Sequence, residues 1–246
     1  MKLQLATWQE VEAYLQRSTG IIVPIGSTEQ HGPNGLVGTD AICPEAIAWA
    51  LGERYEVLVA PTQSLGVAQH HLAFPGTLSL RPSTLIAVLR DTVTSLARHG
   101  FTHVMLLNGH GGNIATVNAA FAEIYAERDG APGGELHLSL CNWFAGPRVR
   151  ELAGSLYGQA EGSHATASEV SLSWFARPEA VKRVAMSPRI APSGTALCDA
   201  ETFRRRFPDG RMGSDPSLAS VEHGARFLEA GVADAWEAYQ GFLAGQ

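Results

Sequence analysis

Short apolar runs bounded by turn residues recur along this chain: GIIVPIG at 20–26, EVLVAP at 56–61, THVMLLN at 102–108 and LHLSLCNW at 136–143. Short, and rich in Val, Ile or Leu, they read as strands buried on both faces of a parallel sheet. Between the runs the period lengthens to that of a helix. Helical patterns fill the stretch after Asp40 (AICPEAIAWALGERY), residues 82–100 and residues 113–130. In the second of these, Ile86, Leu89, Val93 and Leu96 form one apolar stripe and Gly100 supplies a C-terminal stop. Strands alternating with helices predict an α/β layered fold with right-handed crossovers. Residues 191–216 read as loop-rich. Helical periodicity then resumes through residues 217–243, with Asp215 as the expected N-cap and Pro216 at the first helical position.

Composition narrows the picture. A chain of 246 residues fits one large domain, 1–246, around a single core. With 45% hydrophobic and 17% charged residues, it lacks the polarity that keeps chains unfolded. The net charge of −6, without any long Lys/Arg run, argues against nucleic acid or an anionic membrane as partner. No apolar run reaches the roughly 20 residues that span a bilayer. The start of the chain places Glu10 and Glu12 in a helix-like pattern, not in a secretory signal, so a cytoplasmic location is expected. Cys43, Cys141 and Cys198 are odd in number and widely spaced, which suggests neither a disulfide framework nor a zinc ribbon.

Polar clusters follow the predicted strands, where open parallel sheets collect their ligands. PIGSTEQHGPNGLVGTD (24–40) holds Glu29, His31 and Asp40; NGHGGN (108–113) holds His110; EGSHATASEVS (161–171) holds His164 and Glu169. Carboxylates mixed with imidazoles, and no thiolate, suit Zn²⁺, Mn²⁺ or Fe²⁺. Each residue alone has a plainer explanation: Asp40 as a helix cap, Glu29 as a turn residue, His31 as a solvated loop histidine. Several such side chains at adjacent strand ends favour a metal site. NGHGGN also has the look of a phosphate loop, with Asp129 at dinucleotide-fingerprint distance, but it is not G-x-G-x-x-G. Thr166 to Glu169 is a capping-box pattern. His164 and Glu169, five apart, reach one site only if His164 precedes the helix that Glu169 caps. His70 and His71, in an exposed loop, and Trp143 with Phe144, just past a strand, are candidates to line a pocket or to pack.

Taken together, GSTEQHGP, Asp40 in GTDA, FPGTLSL, NGHGGN, SHATASEVS and GSDPSLAS resemble the creatininase family of metal-dependent amidohydrolases, in order from about residue 20 to residue 230. The resemblance implies a three-layer α/β/α sandwich with a mostly parallel central sheet, assembled as a homo-oligomer, commonly a hexamer. It implies two divalent metal ions, with Glu29, His31, Asp40, His110 and Glu169 as ligands and Asp40 bridging. His164 then corresponds to a proton-transfer residue, beside Glu169 as a catalytic position. Gly111, Gly112, His71 and Trp143 are the expected contacts to a small-molecule substrate. Gly112 and Ser163 stand where creatininase itself carries acids, which argues against creatinine. The expected reaction is hydrolysis of an amide C–N bond in a cyclic amide or formamide. Alternatives are a peptidase of the same family and a non-catalytic metal- or nucleotide-binding α/β domain. A serine hydrolase lacks support, because no G-x-S-x-G elbow is present.

Overall fold

A computed structural model describes residues 1–128 and 135–245. Asp129 and the end of the 113–130 pattern lie outside the described residues. Helix α1 (Trp8–Leu15) opens on a capping box in which Thr7 and Glu10 satisfy each other's backbone amides. Strand β1 (Gly20–Ile25), helix α2 (Thr39–Arg54), strand β2 (Leu58–Val59) and helix α3 (Pro82–Arg98) follow. Then come β3 (His103–Asn108), α4 (Ile114–Arg128), β4 (His137–Asn142), α5 (Pro147–Tyr157) and α6 (Ala167–Ala176). The chain ends with α7 (Ala200–Arg206) and α8 (Val221–Leu243).

The strands form one parallel sheet in the order β2-β1-β3-β4. Successive residues of β1 point to opposite faces, as the two-residue period requires. Ile21, Val23 and Ile25 pack with Val104 and Leu106 against α3 and α4, through Leu85, Leu89, Val93, Val117 and Phe121. On the other face Ile22, Met105 and Leu107 meet α2, α5, α6 and α8, through Ile47, Leu51, Val149, Leu172 and Phe227. This is the expected α/β/α arrangement. Because β2 and β3 lie on opposite sides of β1, the winding reverses between β1 and β3. Their carboxyl ends therefore open a crevice at a topological switch point, where such sheets bind ligands.

Two expectations need correcting. The second strand shrinks from 56–61 to two residues: Glu56 adopts φ 56°, outside strand geometry, and the chain start covers the outer side, with Val59 N–H donating to Met1 C=O at 2.9 Å. Asp215 and Pro216 do not begin the last long helix. Asp215 caps only the short turn Pro216–Leu218; Ala219 is extended, and Ser220 caps α8 by accepting from His223 N–H. Within the loop-rich 191–216 stretch, α7 is capped by Asp199, which accepts from Thr202 N–H, and anchors on the buried Phe203.

Candidate metal centre

The centre is built where β1, β3 and α2 converge. Glycine is needed at two contacts: a Cβ at Gly26 or at Gly109 would collide with the Asp40 carbonyl. Pro44, four residues on, has no N–H to offer that carbonyl, so the first turn of α2 can lie against both strand ends. Asp40 is the second residue of α2, not its cap, and its carboxylate enters the crevice instead. The asparagines of NGHGGN hold the second loop. Asn108 Nδ2 donates to His110 C=O at 2.7 Å and to Asn142 Oδ1 at 2.8 Å, while its Oδ1 accepts from His110 N–H at 3.1 Å. Asn113 Nδ2 donates to Gly26 C=O at 2.9 Å, tying β3's loop back to β1. These bonds give the asparagines of NGHGGN a scaffolding role.

Each candidate ligand is oriented by a second partner. His31 Nδ1–H donates to Glu29 C=O at 3.0 Å, turning Nε2 to within 3.0 Å of Asp40 Oδ1. His110 Nε2–H donates to Val67 C=O at 2.9 Å, so its Nδ1 faces Asp40 Oδ2, also at 2.9 Å. Such outer bonds fix the tautomer of metal-binding histidines. Glu169 divides its carboxylate: Oε1 accepts from Thr166 N–H at 2.6 Å in the capping box, and Oε2 lies 4.0 Å from His31 Nε2. His164 sits ahead of α6, after which Ala165 takes φ 52°, a left-handed value that is strained for a residue with a Cβ. Its Nδ1 is 3.8 Å from Glu29 Oε1, and His71 Nε2 is 3.1 Å from the same atom.

Ligand atoms of Glu29, Asp40 and His110 lie within 4.8 Å of one another, as do those of His31, Asp40 and Glu169, and those of Glu29, His31 and His164. Asp40 belongs to two of these sets. Both Glu29 oxygens and Asp40 Oδ2 are buried without a hydrogen-bond partner. A buried, unpaired carboxylate is costly, and a divalent cation supplies the missing charge. The residues present therefore fit a metal pair. Electrostatics point the same way. Burial opposes protonation of His31 and His110, yet the carboxylates overcome it, Asp40 foremost for His31 and Glu29 for His110. Their pKa values rise to about 10 and about 9. Burial also opposes ionisation of Asp40, but the two imidazoles hold its carboxyl well below the usual range. Burial lifts Glu169 to about 7, with His31 pulling against it and Asp40 adding to it. Burial pushes His164 and His71 the other way, far below the ordinary imidazole value.

The five candidate ligands read from the sequence thus meet in one place, and His164 joins them. His71 and Phe74 are buried, not part of an exposed loop. Gly111 has open space around it, whereas any Cβ at Gly112 would strike the His110 ring and the Val67 carbonyl. Two cavities flank the centre and share His110, Gly111, Ser163 and His164 as borders. One, of about 370 Å³, is walled by Trp143, Phe144, Val149 and Arg150; the other, of about 680 Å³, by His70, His71, Leu197 and Cys198. Sequence reasoning missed Gln30, between two candidate ligands, and Glu161, whose carboxylate accepts from the Ser168 hydroxyl on the smaller cavity's wall.

Buried carboxylates and imidazoles at the switch point of a parallel sheet define an α/β protein with a candidate metal centre. A family model described as creatininase, creatinine amidohydrolase, matches residues 4–239. The chain belongs to the creatininase family. It is 34% identical to a creatinine amidohydrolase of Pseudomonas putida over 110 residues, 42% of each chain. It is 28% identical to a mycofactocin precursor peptide peptidase of Mycobacterium ulcerans over 230 residues, 87% of this chain and 82% of that one. The first match spans well under half of its relative's length. Among solved structures, a manganese creatininase superposes with a TM-score of 0.83 at 25% identity, covering 98% of both chains. A mutant creatininase of Zn-Zn type gives 0.83 at 26%, with the same coverage.

Proposed function

We propose that this protein hydrolyses an amide C–N bond with two divalent ions held by Glu29, His31, Asp40, His110 and Glu169. The observation that carries this reading is the set of buried carboxylate oxygens without hydrogen-bond donors, ringed by imidazoles whose outer nitrogens are already engaged. When bound, the ions supply Lewis acidity to a carbonyl oxygen and lower the pKa of water toward neutrality. His164, kept neutral by burial and with Nδ1 facing the centre, takes a proton from the attacking water and returns it to the leaving nitrogen, a role worth about 10²- to 10⁴-fold. Gly109 N–H donates to Ile25 C=O and His110 N–H to Asn108, which leaves the amides of Gly111 and Gly112 for a developing oxyanion. Trp143 forms part of the smaller cavity's wall, beside Phe144.

A second reading, cleavage of a short peptide, is favoured by the cavities on both sides of His110 and His164, which suit a substrate with groups beyond each end of the scissile bond. The peptidase relative supports it. The test for both is one panel of cyclic amides, formamides and short peptides, run after chelation and again after restoring Mn²⁺ or Zn²⁺. Hydrolysis that vanishes with EDTA and returns with metal supports the reading. Turnover by the stripped protein refutes it.

A further inference from the structure

Gln30 lies between two candidate ligands, is 6% exposed, and has no part in the reaction as described so far. Its side-chain amide is fixed from both ends. Oε1 accepts from Gly32 N–H at 2.9 Å, and Nε2 donates to Gly210 C=O at 2.9 Å. Oxygen and nitrogen are therefore not interchangeable, and one N–H remains. Two imidazoles compete for it, since His71 Nδ1 and His164 Nε2 both lie 2.9 Å from Gln30 Nε2.

The proton count closes in one way. His164 Nε2 is also 2.9 Å from the main-chain carbonyl of Gln30, which can only accept. A nitrogen that donates there cannot accept from the amide, so the second Gln30 N–H goes to His71 Nδ1. In a neutral ring that puts the His71 proton on Nε2, beside Glu29 Oε1, though too bent for a hydrogen bond. It also leaves the His164 lone pair on Nδ1, facing the same oxygen across 3.8 Å. The two rings stack with centroids 4.4 Å apart, so neither turns independently.

We propose that Gln30 is a positioning residue: its side-chain N–H holds the His71 proton on Nε2, on the Glu29 side, and its main-chain carbonyl takes the Nε2 proton of His164, which leaves His164 Nδ1 as the acceptor for the reacting water. This rests on the reading of His164 as the proton-transfer group. The platform beneath Gln30 is built for the task. Gly210 takes φ 86°, where a Cβ would strike the Gln30 amide. The wholly buried Arg211 beside it donates to the carbonyls of Pro188, Arg189 and Ser214 at 2.8, 2.9 and 3.0 Å. A carboxylate at position 30 would keep the bond from Gly32 and lose both donors. It would oppose the Gly210 carbonyl and draw the His71 proton onto Nδ1.

Two-bond ¹H–¹⁵N spectra of the zinc-loaded protein with labelled histidines read these tautomers, with His71→Asn and His164→Asn for assignment. Both rings are expected in the Nε2–H form. In Gln30→Glu, His71 is expected to change to Nδ1–H, with kcat down about 10- to 100-fold, KM unchanged and zinc content retained, and with a lowered melting temperature from the carboxylate facing the Gly210 carbonyl. An Nδ1–H form of either ring in the unmutated protein overturns the proposal, whether or not Gln30→Glu folds. So does a Gln30→Glu protein with unaltered tautomers and kcat. The spectra need no turnover, so a protein that cleaves no amide would refute the functional reading while the Gln30 assignment is still decided.

Discussion

At the amino ends of β3 and β4, His103 and His137 stack face to face with centroids 4.5 Å apart. At the carboxyl ends of β1 and β3, His31 and His110 stand on either side of one aspartate, each about one hydrogen-bond length from it. The residue type and the sheet are the same; the surroundings differ. His103 is half-buried, meets the Thr102 and Thr19 hydroxyls, and is held below its ordinary pKa by that burial and by His137. The acid near His137 is Glu135, 3.8 Å away and 83% exposed, where water screens the pair. At the other end the acids are buried and bring no water, so charge must be balanced inside the protein. Imidazoles at strand ends do not make a centre; carboxylates forced into the crevice beside them do.

Removing the shared carboxylate should break this contrast most severely. Asp40→Asn is expected to abolish metal content, read by elemental analysis, and to lower turnover by at least about 10³-fold, since Lewis-acid stabilisation is worth several kcal/mol. An active, metal-free Asp40→Asn protein would remove the distinction between the two ends. Gly109→Ala tests how the carboxylate gets there. Its collision with the Asp40 carbonyl should cost about 1–3 kcal/mol and depress the melting temperature by about 2–4 °C per kcal/mol, with weakened metal retention. Wild-type stability in that variant would show that close approach is not required.

Acidity sharpens the contrast further. His31 and His110 titrate near 10 and 9 without metal, so both carry protons at neutral pH, whereas ligation needs the neutral ring. Metal uptake at neutral pH should release a proton from each of these rings and part of one from Glu169, and affinity should climb with pH until about 10 and then level. Calorimetry in buffers of differing ionisation heat measures the release; pH-independent binding would contradict it. The smallest effect belongs to the other end of the sheet. His103→Ala should leave metal content and turnover unchanged and alter stability by no more than about 0.5 kcal/mol.

The layered fold was legible because β1 and β3 are unbroken apolar runs and α3 repeats its apolar residues at helical spacing. Leu85 joins the expected stripe of α3 and is fully buried. The two-residue β2 was not legible, since what limits it is the distant chain start lying alongside. Nor was the start of α8, because Asp215 is engaged by Arg189 and by its own short turn. Metal-type residues stood out as clusters after strands. The duty of Gln30 did not, because its amide is read only against Gly210, 180 positions away. His71 looked like a loop histidine until folding buried its ring behind Glu29.

The divided carboxylate of Glu169 makes reach, more than charge, the quantity that matters at that position. Aspartate would keep the negative sign and surrender one methylene of span. A single shorter arm cannot both start α6 and face the histidine across the crevice, so the local beginning of one helix and the ion-gripping geometry stand or fall together.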